Sequence, residues 1–320
     1  MSGQAIHFLS CLRIEGIHLV QLRQTPNMRR YKTALILFAI LAFGGLLVWA
    51  GSQHAFMLSS ELPLPIFTLC AIGVLLIQWL AFIPAYYRKT EHFYDLVGGL
   101  TYVLMCLVTL WLLPALNERT ILLAALIMVW ALRLGIFLFI RIARQGSDSR
   151  FDSIKLDFGR FLIAWTGQAL WIVATAGCAL AAMTTLQPVE LGWLAYTGLA
   201  IWLTGFTIES LADWQKRQFQ RQTVKSTPFI CTGLWRYSRH PNYFGEIVLW
   251  CGVALIAFPV LQGWQHLTLV SPIFVVLLLT KASGIPLLEE KADERWQNRQ
   301  DYQQYKATTP VLVPFWPASR

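Results

Sequence analysis

Charge is what this 320-residue chain has least of: 13% of its residues are Asp, Glu, Lys or Arg, against 56% hydrophobic. Soluble domains carry roughly a quarter charged residues, so a free-standing globule is excluded and a polytopic membrane protein is indicated. Cysteine is also scarce. Of six, Cys70, Cys106, Cys178 and Cys251 fall inside apolar runs, and none has a Cys-x-x-Cys or Cys/His spacing. That pattern excludes a disulfide framework and a zinc site. No Gly-x-Gly-x-x-Gly run occurs, so a soluble dinucleotide-binding module is not expected. The basic residues form no single patch, because the net charge of +9 is spread between apolar segments. Nucleic acid is therefore not the expected partner; the lipid bilayer is. No internal repeat or low-complexity tract is visible.

What is there is a series of long apolar runs. They cover roughly 33–51, 62–87, 93–115, 119–143, 160–184, 191–213, 243–262 and 266–285, each near the ~20 residues that cross a bilayer. The fold expected is an all-α membrane helix bundle of eight spans, or seven if Pro63 and Pro65 make the second segment interfacial. Lysine and arginine alternate with these runs. Arg29, Arg30, Lys32, Arg88, Lys89, Arg141, Lys155, Lys216, Arg217, Arg236, Arg239, Lys291 and Arg320 fall on one side, and only Arg119 on the other. The positive-inside rule then puts both termini in the cytoplasm. Residues 1–28 read as an extension before a signal-anchor helix, with Met28 followed by Arg29 and Arg30 as the expected natural start. Peptide mapping of the native N-terminus checks this. Residues 29–320 read as one membrane domain with a cytoplasmic tail, 286–320, formed by a short amphipathic helix and an extended end.

The densest polar stretch is Gly233 to Glu246, Gly-Leu-Trp-Arg-Tyr-Ser-Arg-His-Pro-Asn-Tyr-Phe-Gly-Glu. Pro241 suits the first turn of a helix, and Arg236, Arg239 and His240 stand just before that N-terminus, where an anion is favoured. Ionisable residues within spans are costly, about 2.5–3.5 kcal/mol at a helix centre. Here Asp95, Arg133, Glu209, Asp213, Glu246 and Lys281 all sit in the cytoplasmic halves of their spans. Asp95, Asp213 and Lys281 are close enough to helix ends to snorkel. Arg133 lies deeper, on the order of 15 Å in at a rise of about 1.5 Å per residue, and needs a partner, Glu209 or Glu246. A polar cavity open to the cytoplasm is expected, entered by a lipophilic substrate from the bilayer and by a soluble anionic cofactor from below.

These motifs carry a resemblance. The 233–246 run, Ala212-Asp213-Trp214-Gln215 before it and Leu288-Glu289-Glu290, Tyr302-x-x-Tyr305 and Val313-Pro314-Phe315 after it, resemble the bacterial branch of the steroid 5-alpha-reductase-like membrane proteins known as DUF1295. Trp130-Ala131-Leu132-Arg133-Leu134 and Asp148-x-Arg150-Phe151 extend the likeness, which covers most of the chain from about Glu91 onward and is strongest from Ile208 to Pro317, within a reductase-like portion of about 160–320. The resemblance implies a bacterial inner-membrane reductase using NADPH to reduce a carbon–carbon double bond conjugated to a carbonyl in a lipid or steroid-like substrate. It implies cofactor contacts for Asp213, Arg217, Asn242 and Tyr243, with Glu246 in support; Arg236, Arg239 and Lys216 suit its phosphates. Two departures stand out. The family's substrate-polarising glutamate and tyrosine have no clear counterpart: Trp130 falls at the tyrosine's place, and Tyr94, Tyr102 and Glu91 are the other candidates. Gln220 also replaces a basic residue.

A second class shares the Arg-His-Pro-x-Tyr-x-Gly pattern, the isoprenylcysteine and phospholipid methyltransferases that bind S-adenosylmethionine; in that reading His240 and Glu290 hold the methyl donor. A third reading is a non-enzymatic membrane protein, with Arg236, Arg239 and His240 merely touching headgroup phosphates. The Asn-Tyr-Phe-Gly-Glu run and Asp213 favour the reductase.

Overall fold

The computed structural model describes residues 26–146, 148, 151–223, 227–282 and 284–315. Expectations for residues 1–25, for Arg150 and for Trp316 to Arg320 lie outside these. The described residues are helical, with only two isolated bridges, Ala55 to Thr185 and Met57 to Pro65. The chain runs through α1 (Pro26–Gly51), α2 (Ile66–Tyr87), α3 (Tyr94–Leu112), α4 (Glu118–Gln145), α5 (Phe158–Met183), α6 (Trp193–Arg221) and α7 (Pro241–Ala257). A 3-10 turn (Gly263–Leu269), α8 (Val270–Leu277) and a π turn (Leu278–Ala282) follow, then α9 (Ile285–Trp296) and α10 (Gln300–Thr308).

Seven segments are long and apolar enough to cross a membrane: α1 to α5, the 241–260 segment and the one from Gly263 onward. The remaining apolar run is α6, whose Trp, Thr, Gly and Glu209 content leaves it less apolar than its 29 residues would suggest. Boundaries shift from the expected ones for local reasons. Segment two begins at Ile66 because Pro63 and Pro65 precede it. Segment six continues to Arg221, well past 213, and the tail forms two helices rather than one.

Local chemistry sets the ends. Asn117 caps α4 by accepting from the Thr120 amide at 3.0 Å, and Gly146, at φ 80°, closes it in the left-handed region. Asp157 caps α5 through the Arg160 amide at 2.9 Å. Pro241 is the first residue of α7, where its missing N–H costs nothing.

Helix α5 is the axis of the bundle. Rich in alanine and glycine, it is buried along nearly its whole length and touches α1, α2, α3, α4, α7 and α8. Its small side chains let those neighbours approach closely, which is how helices associate in lipid, where no hydrophobic gain is available between them.

Loops collect at two ends. At one, Arg119 is buried and donates to the carbonyls of Ile256 (2.5 Å) and Glu190 (2.9 Å), capping α7, while Gln265 reaches the Gln53 carbonyl at 2.5 Å. At the other, Lys155 pairs with buried Glu91 at 2.9 Å, and the 233–240 loop meets the tail. Among the described residues, Arg88, Lys89, Lys155, Arg236, Arg239 and Lys291 of the basic set lie in the loops and tail of this second end.

Candidate functional site

The site is built where α6 and α7 touch backbone to backbone. Gly198 and Gly205 on α6 face Gly252 and Gly245 on α7, reciprocally and seven residues apart on each. A Cβ on Gly245 would stand 2.6 Å from the Gly205 carbonyl and the Glu209 amide, and one on Gly252 would stand 2.6 Å from the Gly198 carbonyl. Only glycine fits such an approach. Its consequence is that Glu209 and Asp213, one turn apart on α6, lie beside the first turns of α7 with Asn242 and Glu246.

Arg133 of α4 completes the group. Its Nη1 lies 2.7 Å from Glu209 and its Nη2 2.5 Å from Asp213. Asp213 also accepts from the Asn242 amide at 3.3 Å, and Glu209 from the Trp130 indole N–H at 3.2 Å. Thus Arg133 has Glu209, as expected, but Asp213 is the second partner instead of Glu246. Asp213 does not snorkel; it is 7% exposed and held in this network. Glu246 is buried, and its Oε1 has no hydrogen-bond partner among the described residues.

Above this network is an aromatic wall. Tyr102, Trp130 and Trp250 pack with ring centroids 4.9–6.3 Å apart, all three almost fully buried. The Tyr102 hydroxyl meets Thr175 at 2.5 Å. Below it are the cations. Arg217 lies 4.7 Å over the Phe137 ring and Lys216 5.0 Å over Trp235, so both stems are fixed by aromatic faces. Arg236 is exposed. Arg239 and His240 are held by Glu289 of α9, at 2.6 and 2.8 Å. Tyr243 stacks on His240 at 5.6 Å. Burial pushes the His240 imidazole below its usual range, against the pull of Glu289, so it is neutral at pH 7.

The tail seals this floor. Arg239 N–H donates to the Pro310 carbonyl at 2.9 Å, Ser238 to Leu312 at 2.7 Å, and the Tyr305 hydroxyl to Trp235 at 2.7 Å. Lys306 pairs with Asp293 at 2.6 Å.

The sequence candidates therefore divide. Asp213, Arg217, Arg239, His240, Asn242, Tyr243 and Glu246 gather around the start of α7, with Tyr102 and Trp130 on the wall above. Glu91 and Tyr94 stand apart: Glu91 binds Lys155 and the Asp148 amide, and the Tyr94 hydroxyl donates to the Ala164 carbonyl at 2.7 Å. Glu290 is exposed, and it is Glu289 that meets His240. Residues not singled out as site members are Arg133, Glu209, Glu289 and Gln215, which accepts from the Leu234 amide at 2.9 Å and fixes the loop. The cost of a charge inside a span was the signal for the first two.

Comparison with known proteins bears on this geometry. A family model described as "Protein of unknown function (DUF1295)" matches residues 81–309, more than two thirds of the chain, and takes in the whole network. The chain belongs to the DUF1295 family. Within this DUF1295 protein, 120 residues are 32% identical to 3-oxo-5-alpha-steroid 4-dehydrogenase 1 of Rattus norvegicus, covering 37% of this chain and 40% of that one. The human protein of the same name is 29% identical over 118 residues, with 37% and 40% covered. A delta(14)-sterol reductase of Saccharomyces cerevisiae is 39% identical over 80 residues, 21% of this chain and 18% of the yeast protein. The chain thus spans less than half the length of these curated relatives. No solved structure matches it.

Proposed function

We propose that this DUF1295 protein is a membrane-embedded reductase that uses NADPH to saturate a carbon–carbon double bond in a lipid, the cofactor entering from the cytoplasm at Arg236–Glu246. The observation that carries the reading is the Arg133–Glu209–Asp213–Asn242 network set against the N-terminus of α7 and roofed by Tyr102, Trp130 and Trp250. The likeness to steroid and sterol enzymes supports it.

The residues present fit such a cofactor. Glu246 Oε1, Arg239 Nε and Trp250 Nε1 are buried polar atoms without hydrogen-bond partners among the described residues, and Arg236, Arg239, Lys216 and Arg217 supply positive charge for phosphates. When bound, NADPH supplies the hydride. The chain orients and shields. Asp213 fixes the Asn242 amide, the aromatic wall excludes water, and the Tyr102 hydroxyl in exchange for Thr175, or the Trp130 N–H in exchange for Glu209, is the donor offered to the substrate oxygen. Of the four candidates for that donor, these two flank the network.

One observation favours a second reading, an S-adenosylmethionine-dependent methyltransferase: His240 and Glu289 are paired at 2.8 Å, joining the two halves of that enzyme pattern. Titration calorimetry on the detergent-solubilised protein tests the first. NADPH binding is expected in the parent, and Asn242→Ala and Arg239→Ala are expected to lose it while still inserting and folding. Full affinity in both variants would move the cofactor elsewhere.

A further inference from the structure

Outside the Arg133 network, α1, α2 and α5 enclose a cleft of about 230 Å³ whose lining includes Ile40, Gly44, Gly45, Ala71, Leu170 and Val173. Leu41 and Ile72 on its lip are 40% and 45% exposed, so it opens sideways toward the bilayer. Among the described residues that line it, Thr166 has the one polar side chain. That hydroxyl is already used: it donates to the Leu162 carbonyl at 2.8 Å and accepts from the Trp79 indole N–H at 3.1 Å. Water finds no partner here, and a dry apolar space of this size takes hydrocarbon. Glycine keeps it open. A Cβ on Gly45 would meet nothing within 4 Å, and one on Gly44 only Leu170, at 3.6 Å.

The same three helices bring their charged ends together. Thr33, early in α1, lies against Gly159 at the start of α5, where a Cβ on the glycine would stand 2.8 Å from the Thr33 methyl. Phe158 packs on Phe82 and Tyr86 in the last turns of α2, with ring centroids 5.3 and 5.2 Å apart. Around these contacts the chain carries Arg29, Arg30, Lys32, Arg88, Lys89 and Arg160, all exposed and none in an ion pair among the described residues. The acids nearest to them in sequence are engaged: Asp157 caps α5, and Glu91 holds Lys155. The positive-inside rule accounts for cations at this end, but not for an unfilled hydrocarbon slot on the helices that carry them.

We infer that this face binds one anionic glycerophospholipid, with an acyl chain in the cleft and the phosphate among Lys32, Arg88 and Arg160. Lysine and arginine answer a phosphate with charge-assisted hydrogen bonds, and the cleft answers the chain. The spacing fits one lipid. At a rise of about 1.5 Å per residue, Thr166 stands about 9 Å from Arg160 along α5, Ile40 about 12 Å from Lys32 along α1, and Leu75 about 20 Å from Arg88 along α2. Half of the ~30 Å hydrocarbon core is about 15 Å, so a chain hanging from a headgroup at the basic rim reaches the cleft. This site stands whether or not the reductase reading does.

The test is native mass spectrometry of the full chain released from nanodiscs of equal parts phosphatidylglycerol and phosphatidylcholine with identical acyl chains. One phosphatidylglycerol is expected to stay with each chain, about fivefold or more above phosphatidylcholine, the ratio one cation near a membrane surface gives. Gly45→Leu fills the cleft and is expected to lose retained lipid of both kinds. Gly73→Leu is expected to keep it, since a Cβ there also meets nothing within 4 Å and the residue lies outside the lining. Lys32→Gln combined with Arg160→Gln is expected to erase the preference between the two lipids. Excess glycerol 3-phosphate, a headgroup without a chain, is not expected to displace the bound lipid; displacement would leave a phosphate site and no lipid site. Equal retention of both lipids by the parent, or equal retention by the two glycine variants, overturns the inference. Should Gly45→Leu not fold, a phosphatidylglycerol with a diazirine in its chain decides on the parent: labelling is expected at residues 40–48, 71–75 and 166–173, and labelling elsewhere only contradicts the site.

Discussion

Arg133 is the residue on which the most depends. It enters a helical bundle in lipid with two carboxylates around it, and its guanidinium is also 5.8 Å over the Phe206 ring. Removing one partner of a buried ion network strands the other, at about 3–5 kcal/mol. Arg133→Ala is therefore expected to lower stability in mixed micelles by that amount, and Glu209→Gln added to it to restore part of the loss. An additive, worsening double variant would contradict the pairing. His240 gives a different kind of expectation. Its imidazole is held below the ordinary value of 6.5 by burial, with Glu289 raising it and Arg239 and Lys216 opposing it as cations. The folded state therefore binds fewer protons than the unfolded one as pH falls below about 6.5, and its contribution to stability, full above that value, declines with acidification. The melting temperature should drop between pH 6.5 and 5, and the drop should shrink in His240→Gln; an unchanged slope would show that other groups titrate.

Among elements, the α6 and α7 pair carries the site. Its four glycines allow backbone contact, so a branched side chain at Gly245 has no rotamer that avoids the Gly205 carbonyl. Gly245→Val is expected to separate the helices, to lose NADPH binding and to leave most protein unfolded or protease-sensitive. Gly73→Val is the control, since nothing lies within 4 Å of a Cβ there. Equal protease resistance of the two would mean the helices are not in contact. This scale also shows where sequence reasoning stops. The apolar runs disclosed the spans because hydrophobic length is a local property, and the alternation of basic loops separated the two ends. Arg133 was legible because an unpaired charge at that depth is prohibitive. Its choice of Asp213 over Glu246 was not, because it depends on the glycine contact and not on spacing along either helix. The meeting of Glu289 with Arg239 and His240 was equally hidden. It depends on the π turn at Leu278–Ala282, which changes the helical phase, so that periodicity carried through the turn does not give the face α9 presents. The wide apolar cleft between α1, α2 and α5 left no motif at all; its lining is Ile40, Gly44, Ala71, Leu170 and similar residues that read as ordinary span.

At the scale of the whole molecule, three layers stack from one end to the other: a tail that closes over the 233–240 loop, a charged network at the start of α7, and an aromatic wall beneath an apolar bundle. That order suits a soluble anionic cofactor below and a lipid above. It also makes the cofactor's identity the central claim, because the same loop pattern serves nicotinamides and methyl donors. The direct measurement is thermal unfolding of the detergent-solubilised protein with saturating NADPH or saturating S-adenosylmethionine. A ligand at a hundred times its dissociation constant stabilises by about 2.7 kcal/mol. NADPH is expected to raise the melting temperature saturably in the parent and not in Asn242→Ala, with no effect of S-adenosylmethionine; stabilisation by S-adenosylmethionine alone would contradict the reductase.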